Sequence, residues 1–456
     1  MTMIKPPAIM AMARRRRSHI AIAGILLLLV VWLATPFDSF IYLMPKYYWS
    51  WPFADRLSDE QVFSHRPPPH PVDMLSDVVV IMKSGYGTRD RIQGWLDAHT
   101  ENINLDKLFL VADYVANFSI TAQGQKRTLQ MYDSVRFTID ASVPPLPPDA
   151  KRVKNYNDFQ DALAAGDAER LDRYNKEFGY ELDVMKFVSS LEMAYNRWPN
   201  EKWYIMADDD SYLMLPSAKQ LLQQFDPSKL HYLGNAEGHW TGRFGHGGSN
   251  FFVSQAAMTK LFRKHREAVG AGNHEASTTA KLGDWLLAVT FNRIGIYVQE
   301  GHKRFFNGED PWSTKIRADR ICSLLVGFHA LKTGDVMRKV AASFGPLARP
   351  ATWWDVWEIL GEKEAFKTGA ESHSRNDWDY VGNPDEATST LRNSPAAMSC
   401  QDACLGRRWC LAWTYVPEKK ECHLSPWMAV GKSATGKVSG ISVARVKAVR
   451  EGCPKP

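Results

Sequence analysis

Three consecutive carboxylates, Asp208, Asp209 and Asp210, follow the apolar run Trp203-Tyr204-Ile205-Met206-Ala207. Such a run reads as a buried strand, so the carboxylates stand where that strand leaves a sheet. Charges this close repel one another unless a cation or solvent neutralises them, and hard divalent cations prefer oxygen ligands. In an open α/β sheet, ligands bind beyond the strand C-termini. The triplet therefore points to Mg²⁺ or Mn²⁺ holding a phosphorylated ligand; an acidic turn in water is the alternative. Asp284 opens the amphipathic segment Gly283-Asp284-Trp285-Leu286-Leu287-Ala288, where it also suits a helix N-cap. His329 closes the run from Cys322, read as a strand, and a histidine there can be structural as readily as a ligand. Gly242, Gly245, Gly247 and Gly248 let the backbone approach a ligand closely, or form a flexible turn. The turn Lys83-Ser84-Gly85-Tyr86-Gly87 could face a nucleotide, but it lacks a Walker or G-x-G-x-x-G pattern and is equally an ordinary turn.

The elements that must position these groups follow from periodicity. Val78-Val79-Val80-Ile81-Met82 and Leu108-Phe109-Leu110-Val111-Ala112, ending at Asp113, are strands. A helix through Ile92, Trp95 and Leu96 separates them, which makes a βαβ unit. Residues 143–150 read as a loop and residues 158–197 as broadly helical, covering one sheet face. Helices over 216–225 and 255–265 and a strand over 230–234 complete the region. With 456 residues the chain is too long for one compact core, so one large domain with additions is expected. Its composition, 45% hydrophobic and 23% charged, is globular. Lys5 and Arg14–Arg17 supply five of the positive charges behind a net charge of +6, which argues against nucleic acid as a partner.

Those arginines precede a continuous apolar run, Ile20–Ala34. It reads as a membrane anchor or a signal peptide; Trp32, Pro36 and Phe37 leave no clean cleavage site. The expectation is a cytosolic tail (1–19), a single-pass anchor (20–37) and a lumenal remainder. A short span suits the thinner membranes of the early secretory pathway. Residues 38–76 read as a stem, with Tyr42, Tyr47, Tyr48, Trp49, Trp51 and Phe53 forming an interfacial belt or packing on the domain beyond. Pro67-Pro68-Pro69 reads as a stiff spacer.

Taken in order, the Lys-Ser-Gly turn, Tyr204–Asp210, Asp226–Gly234, Phe244–Ser254, Gly283–Ala288, Phe306–Pro311 and Phe328-His329 resemble the Fringe and core-1 β1,3-galactosyltransferase branch of glycosyltransferase family 31, in its fungal form. The resemblance covers roughly residues 77–360. It implies an α/β domain of GT-A fold, a Rossmann-like mixed sheet, and metal-dependent inverting transfer from a UDP-sugar. It further implies Asp208, Asp210 and His329 at the metal, Asp209 facing the ribose, Lys83 and Asp113 near the nucleotide, and Gly247 and Gly248 walling the sugar. Asp284 would be the catalytic base, with Glu309 and Asp310 as the runner-up. One departure is Leu282, where relatives often carry a cysteine; this puts a local disulfide in doubt and leaves the carboxylate in place.

Residues 361–395 are polar and read as a linker with local helix. Five of the six cysteines follow, at 400, 404, 410, 422 and 453, and zinc or disulfides could explain their density. Cys400-x3-Cys404-x5-Cys410, Trp413-Thr414-Tyr415 and Cys422-His423-Leu424 resemble a small α+β PAN/Apple domain over 396–456. That resemblance implies the bridges Cys404–Cys410 and Cys400–Cys422. It also implies a third bridge from Cys453 to an upstream cysteine, Cys322, with two free thiols as the alternative. Asn117-Phe118-Ser119 is a glycosylation sequon.

The expected protein is a type II membrane glycosyltransferase of the Golgi or endoplasmic reticulum. Its partners would be a UDP-sugar, a glycan or glycoprotein acceptor and the membrane, and its cofactor Mn²⁺ or Mg²⁺. A carbohydrate-binding ectodomain without catalysis and a metal-dependent phosphohydrolase are the rivals. UDP release from a sugar-donor panel with Mn²⁺ tests the transferase, and metal-dependent phosphate release with no sugar requirement would mark the phosphohydrolase.

Overall fold

The computed structural model describes residues 8–49, 55–64, 66–122, 124–366 and 371–453. Its strands are numbered in chain order. The large sheet is built from β1 (Val78–Lys83), β2 (Leu108–Ala112), β3 (Ala116–Ala122), β4 (Gln125–Asp133), β5 (Trp203–Asp208), β7 (Tyr232–Gly234) and β10 (Phe251–Ser254). Their order is β3-β4-β2-β1-β5-β10-β7. The central strands β4, β2, β1 and β5 run parallel, and β3, β10 and β7 enter through antiparallel pairings. This is a mixed α/β sheet, consistent with a GT-A fold.

β1 is buried along its whole length, as a parallel strand covered on both faces must be. Alternation divides its residues. Val78, Val80 and Met82 enter one apolar layer with Ile205 and Ala207. Val79 and Ile81 enter the other with Tyr204 and Met206. Helices Phe187–Arg197 and Gly283–Arg293 cover the second face.

Several short pairings matter more for function than their size suggests. β6 (Tyr212–Leu213) pairs antiparallel with β12 (Gly327–Phe328). β8 (Ala236–Glu237) and β9 (Phe244–Gly245) form a ribbon that leads into His246. β11 (Ile316–Arg317) pairs with β17 (Trp427–Met428), stitching the chain's last quarter to the rest of the molecule.

That last quarter contains a five-stranded antiparallel sheet ordered β13-β18-β15-β16-β14. Its strands are β13 (His373–Asp379), β14 (Ser389–Leu391), β15 (Ala412–Val416), β16 (Glu421–Ser425) and β18 (Lys432–Ile441). Helix Ala397–Leu405 packs on it through Cys400 and Cys404. All three disulfides are formed: Cys400–Cys422, Cys404–Cys410 and Cys322–Cys453.

The structure departs from sequence expectation in five places. Residues 361–395 are more than a linker, because β13 and β14 lie in the C-terminal sheet. Residues 322–329 are not one strand. Leu325 N–H donates to Ala351 and Val326 N–H to Phe305, so no single partner runs alongside until β12. The β3–β4 hairpin was not anticipated; its alternation is half-exposed, and Gly124 at φ 72° supplies its turn.

The stem is no free spacer. Val62 and Val72 are buried in the core, and Asp59 pairs with Arg304 at 2.8 Å. Helix Phe40–Tyr48 lies against the domain through Tyr47 and His239, while Trp51 and Phe53 fall outside the described residues. Finally, the segment expected as an anchor at 20–37 lies for the most part in the longer helix Ala8–Ala34. Among the described residues no helix is long and apolar enough to cross a membrane. The stretch Ile22–Leu33 is nonetheless exposed along its apolar side chains.

Candidate active site

The carboxylate triplet begins on the last residue of β5, at the C-terminal edge of the parallel strands. The β6–β12 pairing then delivers His329 to it. Phe328 sits opposite Tyr212, two residues beyond Asp210, so the next residue reaches the acidic turn. His329 Nε2 lies 3.3 Å from Asp210 Oδ1. Asp208, Asp210 and His329 present ligand atoms all within 4.8 Å of one another.

The donor set suits a hard divalent cation: two carboxylates and one imidazole. His329 Nδ1–H donates to the Gly308 carbonyl at 3.2 Å, which turns Nε2 toward the carboxylates. Gly248 packs so tightly beneath that a Cβ there would sit 2.1 Å from His329 Nε2. The residues present fit a metal.

Electrostatics bind the cluster to a buried charge network. Lys83 Nζ lies 2.7 Å from Asp183 and 3.1 Å from Asp208, and the lysine is 5% exposed. Burial opposes its charge, but these two carboxylates outweigh that and raise its pKa. Asp183 is correspondingly lowered: burial opposes ionisation, and Lys83 and Lys186 overcome it. Lys186, in turn, pairs with Asp113 at 2.9 Å. Burial raises Asp208, with Asp183 and Asp210 adding repulsion. In the Asp210–His329 pair burial opposes both charges, but the contact lowers the carboxyl and raises the imidazole.

Asp209 is occupied differently from its neighbours. Its carboxylate accepts from Ser84 Oγ at 2.6 Å and Thr88 Oγ1 at 2.5 Å, and meets Arg91 at 3.3 Å. Burial pushes its pKa up to about 6. These bonds shape the turn after β1: Oδ2 takes both hydroxyls, and Oδ1 meets only Arg91.

These residues line a cavity of about 700 Å³ between the Lys83–Arg91 segment and helix Ala168–Asp183. Lys83, Asp113, Asp208, Asp209, Asp210 and His329 all face it. Gly247 and Gly248 do not line it; they stand behind His329 and Asp284. Asp284 is the second residue of its helix, not its N-cap, which is Leu282. Its Oδ2 accepts Gly247 N–H at 3.0 Å and its Oδ1 accepts Trp285 N–H at 2.8 Å. The helix N-terminus favours its negative charge. Glu309 and Asp310 lie in the loop that supplies the Gly308 carbonyl; Asp310 bonds Trp312 and Ser313 within that loop.

Sequence reasoning missed Asp183, Lys186 and Arg91. The signal for the first two was present: two charges three residues apart inside the run Leu182–Val188. Charges placed in an apolar run are expected to pair.

A family model described as Fringe-like matches residues 175–300, well under half the chain. The match includes β5, the acidic triplet, the glycine segment and Asp284, and it supports a glycosyltransferase. No curated protein matches the chain. One solved structure is titled "crystal structure of a glycosyltransferase involved in the glycosylation of the major capsid of PBCV-1". It is 14% identical and covers 57% of this chain and 99% of its own, with a TM-score of 0.22, a likeness too slight to build on.

Proposed function

We propose that this protein is a metal-dependent inverting glycosyltransferase that moves a sugar, β1,3-linked galactose or N-acetylglucosamine, from a UDP-sugar to a glycan or glycoprotein acceptor. The observation that carries the reading is the Asp208–Asp210–His329 cluster at the mouth of a cavity walled by Lys83, Lys186 and Arg91. Asp208, Asp210 and His329 would hold Mn²⁺ or Mg²⁺. Such a cation neutralises charge on a leaving diphosphate. The Lys83–Gly87 turn, braced by Asp209, and Asp113 beside Lys186 would receive the nucleotide.

Asp284 would take the proton of the acceptor hydroxyl as its oxygen bonds to the sugar C1. The C1–O bond to UDP breaks with its electron pair leaving on UDP, and the anomeric configuration inverts. Two backbone N–H groups orient the Asp284 carboxylate without consuming all its lone pairs.

The setting we propose is a single-pass type II membrane protein of the Golgi or endoplasmic reticulum, with the catalytic domain lumenal. The exposed apolar helix surface after Arg14–Arg17 and the three disulfides support it. The cysteine-rich C-terminal unit fits a PAN/Apple-like module. Asn117, exposed on edge strand β3, fits a glycosylated position.

The test is a UDP-sugar panel with Mn²⁺, scored by UDP release, alongside calorimetry of UDP binding to Asp210→Ala. A donor that turns over, and loss of metal-dependent UDP binding in the variant, are expected. No donor turning over, with UDP affinity unchanged in the variant, would remove the reading.

A further inference from the structure

A second cavity, of about 790 Å³, lies near the first, with His329 between them and no lining residue in common. The His329 ring lines the first cavity. Gly308, whose carbonyl takes the His329 Nδ1–H, and His246, whose ring centroid is 5.1 Å from that of His329, line the second. Three separate parts of the chain wall it: Tyr47 of the segment before the catalytic domain, the catalytic domain itself, and Glu386 of the C-terminal unit.

Its charge is unbalanced. Arg243, Lys303, Lys315, Arg317 and Arg320 face it, against Glu237, Glu309 and Glu386. Three of the cations are committed. Arg243 forks onto Glu300, its second contact at 2.9 Å. Lys315 and Arg317 share Asp385 at 3.0 and 2.8 Å. The other two are not matched in this way. Among the described residues Lys303 forms an ion pair only with Glu300, at 4.0 Å, which Arg243 already holds. Among the described residues Arg320 forms an ion pair only with Asp319, at 3.8 Å, a carboxylate that is 75% exposed, and its guanidinium lies 5.0 Å from the Trp353 ring centroid. The Arg320 Nε is buried without a hydrogen-bond partner.

Partly buried cations that lack close carboxylates are stabilised by an anion brought from outside. Burial, with repulsion from neighbouring cations, lowers both Lys303 and Arg320. Asn235, Asn307, Phe306 and Trp353 add the mixture of amide and aromatic wall expected of a small-molecule site.

We infer that this cavity takes the acceptor, and that the acceptor is an anionic sugar whose carboxylate or phosphate sits between Lys303 and Arg320. The inference rests on the glycosyltransferase reading above: the donor diphosphate belongs with the metal cluster in the first cavity, which leaves the second for the other substrate. The acceptor would then approach along the His246–Gly308 wall, on the opposite side of His329 from the nucleotide.

The test uses the purified full-length chain in detergent and saturation-transfer NMR titrations with four probes. Glucuronic acid and mannose 6-phosphate carry the charge; glucose and mannose are the neutral controls. At least one charged probe is expected to bind about ten-fold or more tightly than its neutral control, and which one identifies the anion. Lys303→Gln and Arg320→Gln are each expected to weaken it about ten-fold, the scale of one lost charge-assisted hydrogen bond, whereas Arg320→Lys retains most of the affinity. Calorimetric UDP binding with Mn²⁺ should be unchanged in all three variants, which shows that they are folded. Equal binding of charged and neutral probes, or unaltered charged-probe affinity in both glutamine variants, overturns the inference. Parent protein that binds no UDP would instead strike at the glycosyltransferase reading, and the sugar titrations would still stand by themselves.

Discussion

Lys83 holds the two halves of the site together. It bridges Asp183 on a helix and Asp208 on β5, with the lysine itself 5% exposed and the carboxylates 30% and 21%. Breaking a buried ion pair from one side leaves the other side's charge uncompensated, at a cost of about 3–5 kcal/mol. Lys83→Met is therefore expected to lower unfolding free energy by that amount in denaturant titrations; a change below about 1 kcal/mol would show that water reaches the carboxylates. Gly248 acts by absence of bulk. In Gly248→Ala the new methyl must displace the His329 ring, because its Cβ would sit 2.1 Å from Nε2. Disturbing the orientation of a metal-ligating imidazole costs about 10–100-fold in affinity. Calorimetry with UDP and Mn²⁺ should show such a loss, with thermal stability in the absence of metal nearly preserved. At this scale the sequence was informative for residues next to a strand end, such as Asp208 and Asp210. It was uninformative for partners like Asp183 and Lys186, whose roles depend on which helix face meets the turn after β1.

At the scale of elements, His329 depends on β12, β12 on β6, and β6 on His99. The His99 imidazole is buried and stacked on Trp95 at 4.1 Å. Its Nδ1–H donates to the Trp95 carbonyl at 2.8 Å, and its Nε2 accepts Leu213 N–H at 3.1 Å. Protonation would turn that acceptor into a second donor and break the bond to β6. Burial accordingly lowers its pKa to about 4. A histidine whose folded pKa lies below its unfolded value contributes stability above pH 6.5 and loses it as pH falls toward 4. The shift is worth about 3 kcal/mol. Melting temperature should fall over that interval, and His99→Gln, which keeps a donor and an acceptor but cannot titrate, should flatten the fall. An equal acid slope in both proteins would assign the effect to other groups.

The long apolar strands β1, β2 and β5 were legible because burial on both faces leaves a continuous hydrophobic run. The β3–β4 hairpin was not, since one half-exposed face blurs the alternation. Nor was the course of residues 322–326, whose hydrogen bonds go to two separated segments, and composition carries no mark of that.

Across the whole molecule, Cys322–Cys453 ties the C-terminus to the loop leading into β12 over a separation of 131 residues. The chain-entropy model gives such a closure about 5 kcal/mol. Cys322→Ser with Cys453→Ser should lower unfolding free energy by a large part of that. The β11–β17 pairing should still hold the tail in place, so that UDP binding survives in the folded fraction. The stem is likewise part of the body: its Ser58 capping box, Val62 and Val72 pack on the domain, so a soluble fragment that keeps the core intact must begin before Ser58. Composition could not reveal this, because a proline-rich segment looks the same whether it hangs free or lies on a surface.

The β11–β17 seam has one more consequence. It sets Asp385 against Lys315 and Arg317 and brings Glu386 to the wall of the second cavity, whereas Asp208, Asp210, His329 and Asp284 all lie upstream of residue 371. On the reading proposed above, the reaction is written upstream, while recognition is written partly there, at Lys303 and Arg320, and partly after residue 371, at Glu386. Over generations, the stretch after residue 371 can drift and alter what enters the second cavity while the chemistry upstream is inherited unchanged. Descendants of such a chain would keep one reaction and diverge in the molecules they modify.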